Sequence, residues 1–156
     1  MIDSLGLLTA RMALGLSMAS HGAQKALGWF EGPGPAAAAG FMESVGLKPG
    51  APYAKAAAYN EIASGLMIAL GLGGPLGPAG AISTMIVAAE TVHAKNGYFT
   101  AKGGIELNVI YGAGALALAS SGYGALSLDR LLRLDRGLRH PFFTTVALAG
   151  GIAAAY

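Results

Sequence analysis

The sequence predicts an all-α integral membrane protein, a four-helix bundle with a short fifth helix at the C-terminus. Three observations lead there. Mean hydropathy is +0.54. Only 12% of the 156 residues are charged, about half the usual ~25%. Four apolar runs, separated by Gly- and Pro-rich links, approach the roughly 17–25 residues that a bilayer-crossing helix needs. Glycine, at 25 residues, supplies the small side chains that membrane helices use to pack closely. The length suits one domain covering 1–156. The chain has no cysteine, which excludes disulfides, thiolate metal sites and CxxC redox chemistry. A net charge of +2, thinly spread, gives no footprint for nucleic acid.

The first run covers about 5–30 and contains Arg11, His21 and Lys25. A cleaved leader needs a basic start and a small-residue cleavage site. Here Asp3 opens the chain and Arg11 interrupts the apolar stretch, so a retained helix is expected. The link from Glu31 to Pro52 is long enough for a short interfacial helix over 36–45, with Phe41, Met42 and Val45 on its apolar side. The second run, about 53–72, carries Glu61. GLGGPLGP at 71–78 is a tight turn into the third run, about 78–93, which carries Glu90 and His93. Between Lys95 and Gly104, Tyr98 and Phe99 sit beside lysines, an interfacial pattern.

The fourth run covers about 105–121 and opens on Glu106. Leucines alternate with Arg130, Arg133, Arg136 and Arg139 over 126–139, which reads as an amphipathic surface helix. The tail, 141–156, is apolar and near the lower length limit for a fifth span. The four arginines balance Lys48, Lys55, Lys95 and Lys102 on the opposite face, but their tight packing favours a cytoplasmic arginine face.

Ionisable groups within a bilayer cost on the order of 2.5–3.5 kcal/mol each and are functional candidates by default. With alternating helix direction, His21, Lys25, Glu61, Glu90, His93 and Glu106 all approach one membrane face. His21 and Lys25 are four residues apart and Glu90 and His93 three apart, so each pair shares a helix side. Three carboxylates against one lysine and two histidines suit a ligand-binding or proton-relay site. Glu106 and Lys25 lie near helix ends, where snorkelling to the interface is an equal account. Glu90 with His93 forms one Glu-x-x-His pair; di-iron bundles use two pairs plus further glutamates, so these residues are weak metal candidates. Arg11 and Asp129, towards the other face, are expected to form a structural ion pair. Gly65, Gly71, Gly112 and Gly114 are read as close-packing positions.

The strings HGAQKALGWF (21–30), FMESVGLKPG (41–50), EIASGLMIALGL (61–72), AETVHAKNGYFTAKGGIEL (89–107) and GYGALSLD (122–129), preceded by Arg11, together resemble the DoxX family of small bacterial membrane proteins. That resemblance implies a multi-pass protein of the bacterial inner membrane, linked to redox metabolism. The family name comes from a subunit of a thiosulfate:quinone oxidoreductase. With no cysteine to form a thiol intermediate, thiosulfate chemistry is not carried over. The leading expectation is a quinone-interacting subunit of a membrane oxidoreductase system. In it His21 and His93 donate hydrogen bonds, Glu61 or Glu90 relays protons, and Trp29, Tyr59 and Phe99 are candidate ring contacts. Quinone is then a bound substrate, and electrons come from an oxidoreductase partner. The alternative is a non-enzymatic membrane anchor or assembly subunit, as a homo-oligomer or with a partner enzyme, using 31–52 and the arginine segment to dock. A proton-coupled carrier fits less well, because the run beyond Glu61 is apolar.

Overall fold

A computed structural model describes residues 2–138 and 141–156, with side chains from Ser4 onward; Asp3 and Arg139, named above, lie outside that description. The described residues are helical, with no strand among them. The long elements are α1 (Ile2–Leu27), α3 (Gly50–Leu70), α4 (Leu76–Ala88) and α5 (Glu106–Ser121). The short α2 (Gly34–Ser44) lies between α1 and α3. Two single turns, α6 (Leu128–Leu131) and α7 (Asp135–Leu138), precede α8 (Pro141–Ala153).

Local chemistry sets the ends. Gly28, at φ +70°, ends α1. Gly71, at φ +66°, ends α3 in the left-handed conformation, with its N–H bonded to Ile68 O and that of Leu72 to Met67 O. Pro75 and Pro78 fit the start of α4, where the backbone N–H groups have no intrahelical acceptor. After Ala88 the winding loosens into a π-turn over Ala89–His93 and then tightens over Ala94–Asn96.

Neighbouring helices run antiparallel, as their contacts dictate. On α1 and α3, Gly15 meets Gly65 and Ala69 while Gly22 meets Ala58 and Ile62. On α3 and α4, Gly77 lies against Ser64 and Met67 while Gly80 faces Asn60. Asn108 of α5 reaches Met85 of α4. Tyr111 of α5 bonds Ser17 of α1, and Gly114 faces Leu14. Each of these four seams therefore carries one polar tie: Lys25–Glu61, Asn60–Thr84, Asn108–Met85 and Ser17–Tyr111. In apolar surroundings such ties fix which helix faces meet. Helix α8 packs along α4, with Gly151 against Ala79.

The interior is built from small and polar residues, the exterior from large apolar ones. Ala81 and Ala115 are buried with Met18, Ile68, Leu118 and Tyr123, Ala54 with Ala38 and Met42, and Ala58, Arg11, Glu61 and Asn108 are buried as well. Leu16, Leu66, Leu70, Ile110 and Leu116 are exposed. A water-soluble fold places its large aliphatic residues inside; this distribution is reversed, as expected where the solvent is hydrocarbon.

Several expectations change. No helix among the described residues is both long and apolar enough to cross a membrane. Helices α1 and α3 have the length, at 26 and 21 residues, but alanine, glycine and polar side chains dilute their hydropathy; α4 and α8, at 13 residues each, are short. The expected amphipathic helix over 126–139 is two separate turns, because Arg133 takes φ +59° and Leu134 N–H turns back to Asp129 O. Among the glycines, Gly65 is pressed against α1, Gly114 meets the tip of Leu14, Gly71 is a cap, and Gly112 has open space beside it.

Candidate functional site

The C-terminal part of α1 and the middle of α3 build a polar site. Lys25 Nζ lies 2.6 Å from Glu61 Oε2, across the seam between the two helices. Glu61 is 6% exposed, so its carboxylate depends on that ammonium for charge compensation. Helical spacing stacks His21 one turn before Lys25, whose Nζ also reaches His21 O at 3.4 Å. The His21 ring is oriented by Gln24, with Nδ1 3.1 Å from Oε1, and the Gln24 amide donates to Phe30 O, closing the end of α1. Beside Lys25 lies an apolar recess of about 180 Å³, walled by Pro33, Ala37, Ala38, Phe41 and Met42 of α2 and the turn before it. Met42 and Ala38 hold α2 down on Ala54 of α3.

The other three candidates belong to the same end of the molecule but are not part of this cluster. Glu61 is level with the Gly80–Thr84 turn of α4, because its neighbour Asn60 bonds Gly80 O and Thr84 Oγ1. Glu90 and His93 follow six or more residues later, about 10 Å further along the axis. Each has a nearer partner. Glu90 Oε1 accepts from the Tyr156 hydroxyl at 2.8 Å, His93 Nδ1 lies 2.7 Å from Gly103 O, and Glu106 Oε2 accepts from Thr100 N–H at 2.9 Å. The π-turn explains part of the separation: i→i+5 winding takes residues three apart out of the stacked arrangement of an α-helix. Glu90 and His93, the weak metal candidates, thus point to different partners. No group of three or more His, Asp or Glu residues is placed to hold a metal ion among the described residues. Trp29, Tyr59 and Phe99 are all exposed and none lines the recess; Phe41 is its aromatic wall. Gln24 and Asn60 were not singled out from sequence, although a lone amide in an apolar run is the signal that identifies such ties.

At the opposite end Arg11 is 1% exposed. Its Nη2 donates to Leu126 O, and its guanidinium sits 6.0 Å from the centre of the Tyr123 ring. The expected Arg11–Asp129 ion pair does not form. Both Asp129 oxygens are occupied instead by the N–H groups of Gly73 (2.9 Å) and Gly74 (2.7 Å) in the α3–α4 turn, while Asp129 N–H donates to Gly71 O. Asp129 therefore pins the segment after α5 to that turn. Burial, with the nearby Asp129 charge adding to it, pushes the Tyr123 phenol well above its ordinary pKa. Replacing Asp129 by alanine is expected to destabilise the protein by about 2 kcal/mol, through two charge-assisted bonds lost and two amides stranded. Asp129→Asn keeps one acceptor and should lose less. Denaturation midpoints in mild detergent measure both.

The DoxX family model matches residues 6–94, which is more than half the chain. The chain belongs to the DoxX family. The matched DoxX region runs from Gly6 within α1 through α4 and the π-turn, and contains Arg11, His21, Lys25, Glu61, Glu90 and His93; Glu106 and Asp129 lie beyond it. DoxX proteins are generally membrane-associated, which supports a membrane location and agrees with the reversed distribution of large apolar residues. No curated protein matches the chain, and no solved structure does.

Proposed function

We propose that this DoxX protein is a multi-pass protein of the bacterial inner membrane that binds a quinone at the Lys25–Glu61 site, as a subunit of a membrane oxidoreductase system. The observation that carries the reading is the 2.6 Å ion pair between the buried Glu61 and the half-buried Lys25, which also lines an apolar recess of about 180 Å³. A quinone has the matching division: an apolar tail and ring, and two carbonyl oxygens that accept hydrogen bonds. Lys25 is the donor to one carbonyl. Glu61 and His21 are the proton-transfer groups beside it. Reduction to the quinol takes two electrons and two protons; the protons pass through these groups and the electrons come from the partner oxidoreductase.

The membrane-bundle reading rests on helix lengths and on the reversed interior. At 1.5 Å per residue, α1 and α3 are about 39 and 32 Å long, and α4 with its π-turn and following turn, Leu76–Asn96, is about 32 Å, against a hydrocarbon core of ~30 Å. The shorter α5, about 24 Å, is accommodated by local thinning of the bilayer. Small residues at the seams, among them Gly15, Gly22, Ala58, Gly65 and Ala115, are buried and bring the helices together.

Purification in mild detergent followed by organic extraction tests the proposal. Quinone is expected to co-purify, and Glu61→Gln and Lys25→Met should each reduce its content at least about tenfold, the effect of losing one hydrogen bond to a charged group. Wild-type protein that carries no quinone and does not bind an added short-chain benzoquinone would refute it. Co-elution of a partner enzyme without quinone would favour the anchor or assembly role.

A further inference from the structure

The segment after α5 forms a firm platform at the Arg11 end. Asp129 holds it through Gly73 and Gly74 N–H, and its own backbone closes on itself through Leu131 N–H to Ser127 O, Leu132 N–H to Leu128 O and Leu134 N–H to Asp129 O. Ser127 caps the first turn by accepting from Arg130 N–H. On this base stand Arg130, Arg133 and Arg136, interleaved with the exposed Leu126, Leu131, Leu132 and Leu134; Leu131 is 75% exposed. Asp135, the one carboxylate on the outer part of the segment, is held by Arg130 at 2.9 Å, and that hydrogen bond keeps it below the usual carboxylate range. Neither Arg133 nor Arg136 has a carboxylate within ion-pair distance among the described residues. A cavity of about 290 Å³, lined by Tyr123, Gly124, Ser127 and Arg130 among others, opens beside the platform.

We infer that this platform is a binding surface for anionic phospholipid, with Arg133 and Arg136 on the phosphodiester oxygens and the four leucines among the acyl chains. Charge and apolarity alternate over a few residues on an anchored backbone. A lipid headgroup presents the same alternation, negative charge directly above hydrocarbon. A soluble anion would satisfy the arginines but leave the leucines in water. A protein partner would have to bring both an acidic patch and an apolar one. The inference does not depend on quinone binding, which concerns the opposite end of the molecule.

The test uses the full-length protein in mild detergent, with phosphatidylglycerol or phosphatidylcholine added, and native mass spectrometry to count retained lipid. Wild-type protein is expected to retain phosphatidylglycerol over phosphatidylcholine by about tenfold. Arg133→Gln/Arg136→Gln should bring the two lipids to near-equal retention, whereas Arg133→Lys/Arg136→Lys should keep the preference. Because both positions are exposed, the lipid-free thermal midpoint should be unchanged in either variant. Equal retention of both lipids by wild type overturns the inference, as does a preference that survives Arg133→Gln/Arg136→Gln. Loss of the preference on adding inorganic phosphate at the same concentration as the lipid would overturn it in favour of a soluble-anion site, and loss of both lipids to a co-eluting protein in favour of a protein-docking surface.

Discussion

A valine at Gly15 or Gly65 is expected to lower the thermal midpoint in mild detergent by on the order of 10 °C, the equivalent of about 3 kcal/mol. A Cβ on Gly15 would stand 2.5 Å from Ala69 N and Gly65 O, and one on Gly65 would stand 2.5 Å from Ala19 N and Gly15 O. These neighbours are backbone atoms of the facing helix, which no rotamer change can move aside. The two helices must separate along the seam, and the contacts between α1 and α3 weaken together. Gly112 is the control: it is helical, and a Cβ there meets nothing within 4 Å. Gly112→Ala should be neutral or raise the midpoint slightly through its effect on helix propensity. Equal losses at Gly112 and Gly65 would show that glycine flexibility, rather than close approach, is what the seam needs.

The second large effect is at the ion pair. Lys25→Met leaves Glu61 buried without a cation and is expected to destabilise the protein by about 3 kcal/mol. Lys25→Met/Glu61→Leu removes the stranded charge as well and should recover most of that loss, because apolar residues of similar volume suit the site once both charges are gone. Denaturation of the wild type, both single variants and the double variant gives the coupling directly. Single-variant effects that simply add in the double variant would mean that the two groups are solvated independently. The recovered double variant is also the useful reagent for the functional proposal, since it is folded and lacks both polar groups.

The distinction between the two ends of the molecule was legible in the residue order. Lys25 and Glu61 meet because alternating helix direction brings the end of α1 to the middle of α3, although α2 lies in the connection between them. Alternating helix direction brings Glu90, His93 and Glu106 to the same end as Glu61, but it does not give depth: Glu61 is level with Gly80 and Thr84, six or more residues before Glu90. The π-turn and the partners Tyr156, Gly103 and Thr100 are tertiary facts that no spacing reveals. Arg11 and Asp129 are paired in the sequence by opposite charge and a shared face. Two glycine N–H groups in a tight turn are a better-placed match for a carboxylate than a guanidinium already bonded to Leu126 O, and a sequence does not show where a turn's amides point. Which glycines and alanines lie at the seams was likewise invisible: Ala115 is buried and Ala113 and Ala117 beside it are exposed, a choice made by the facing helix.

Gly22 has a mechanical consequence for the candidate site. It lets α1 touch Ala58 O and Ile62 N one turn from Lys25 and Glu61, so the spacing of the ion pair is set by main chain bearing on main chain. That side of the recess is stiff. The facing wall, α2, is joined to its neighbours through Gly28 and Gly34 on one side and Gly46 on the other, all at positive φ. For the proposed quinone this would mean a headgroup held against a main-chain-braced edge, with any accommodation of the tail falling to the glycine-hinged α2 wall.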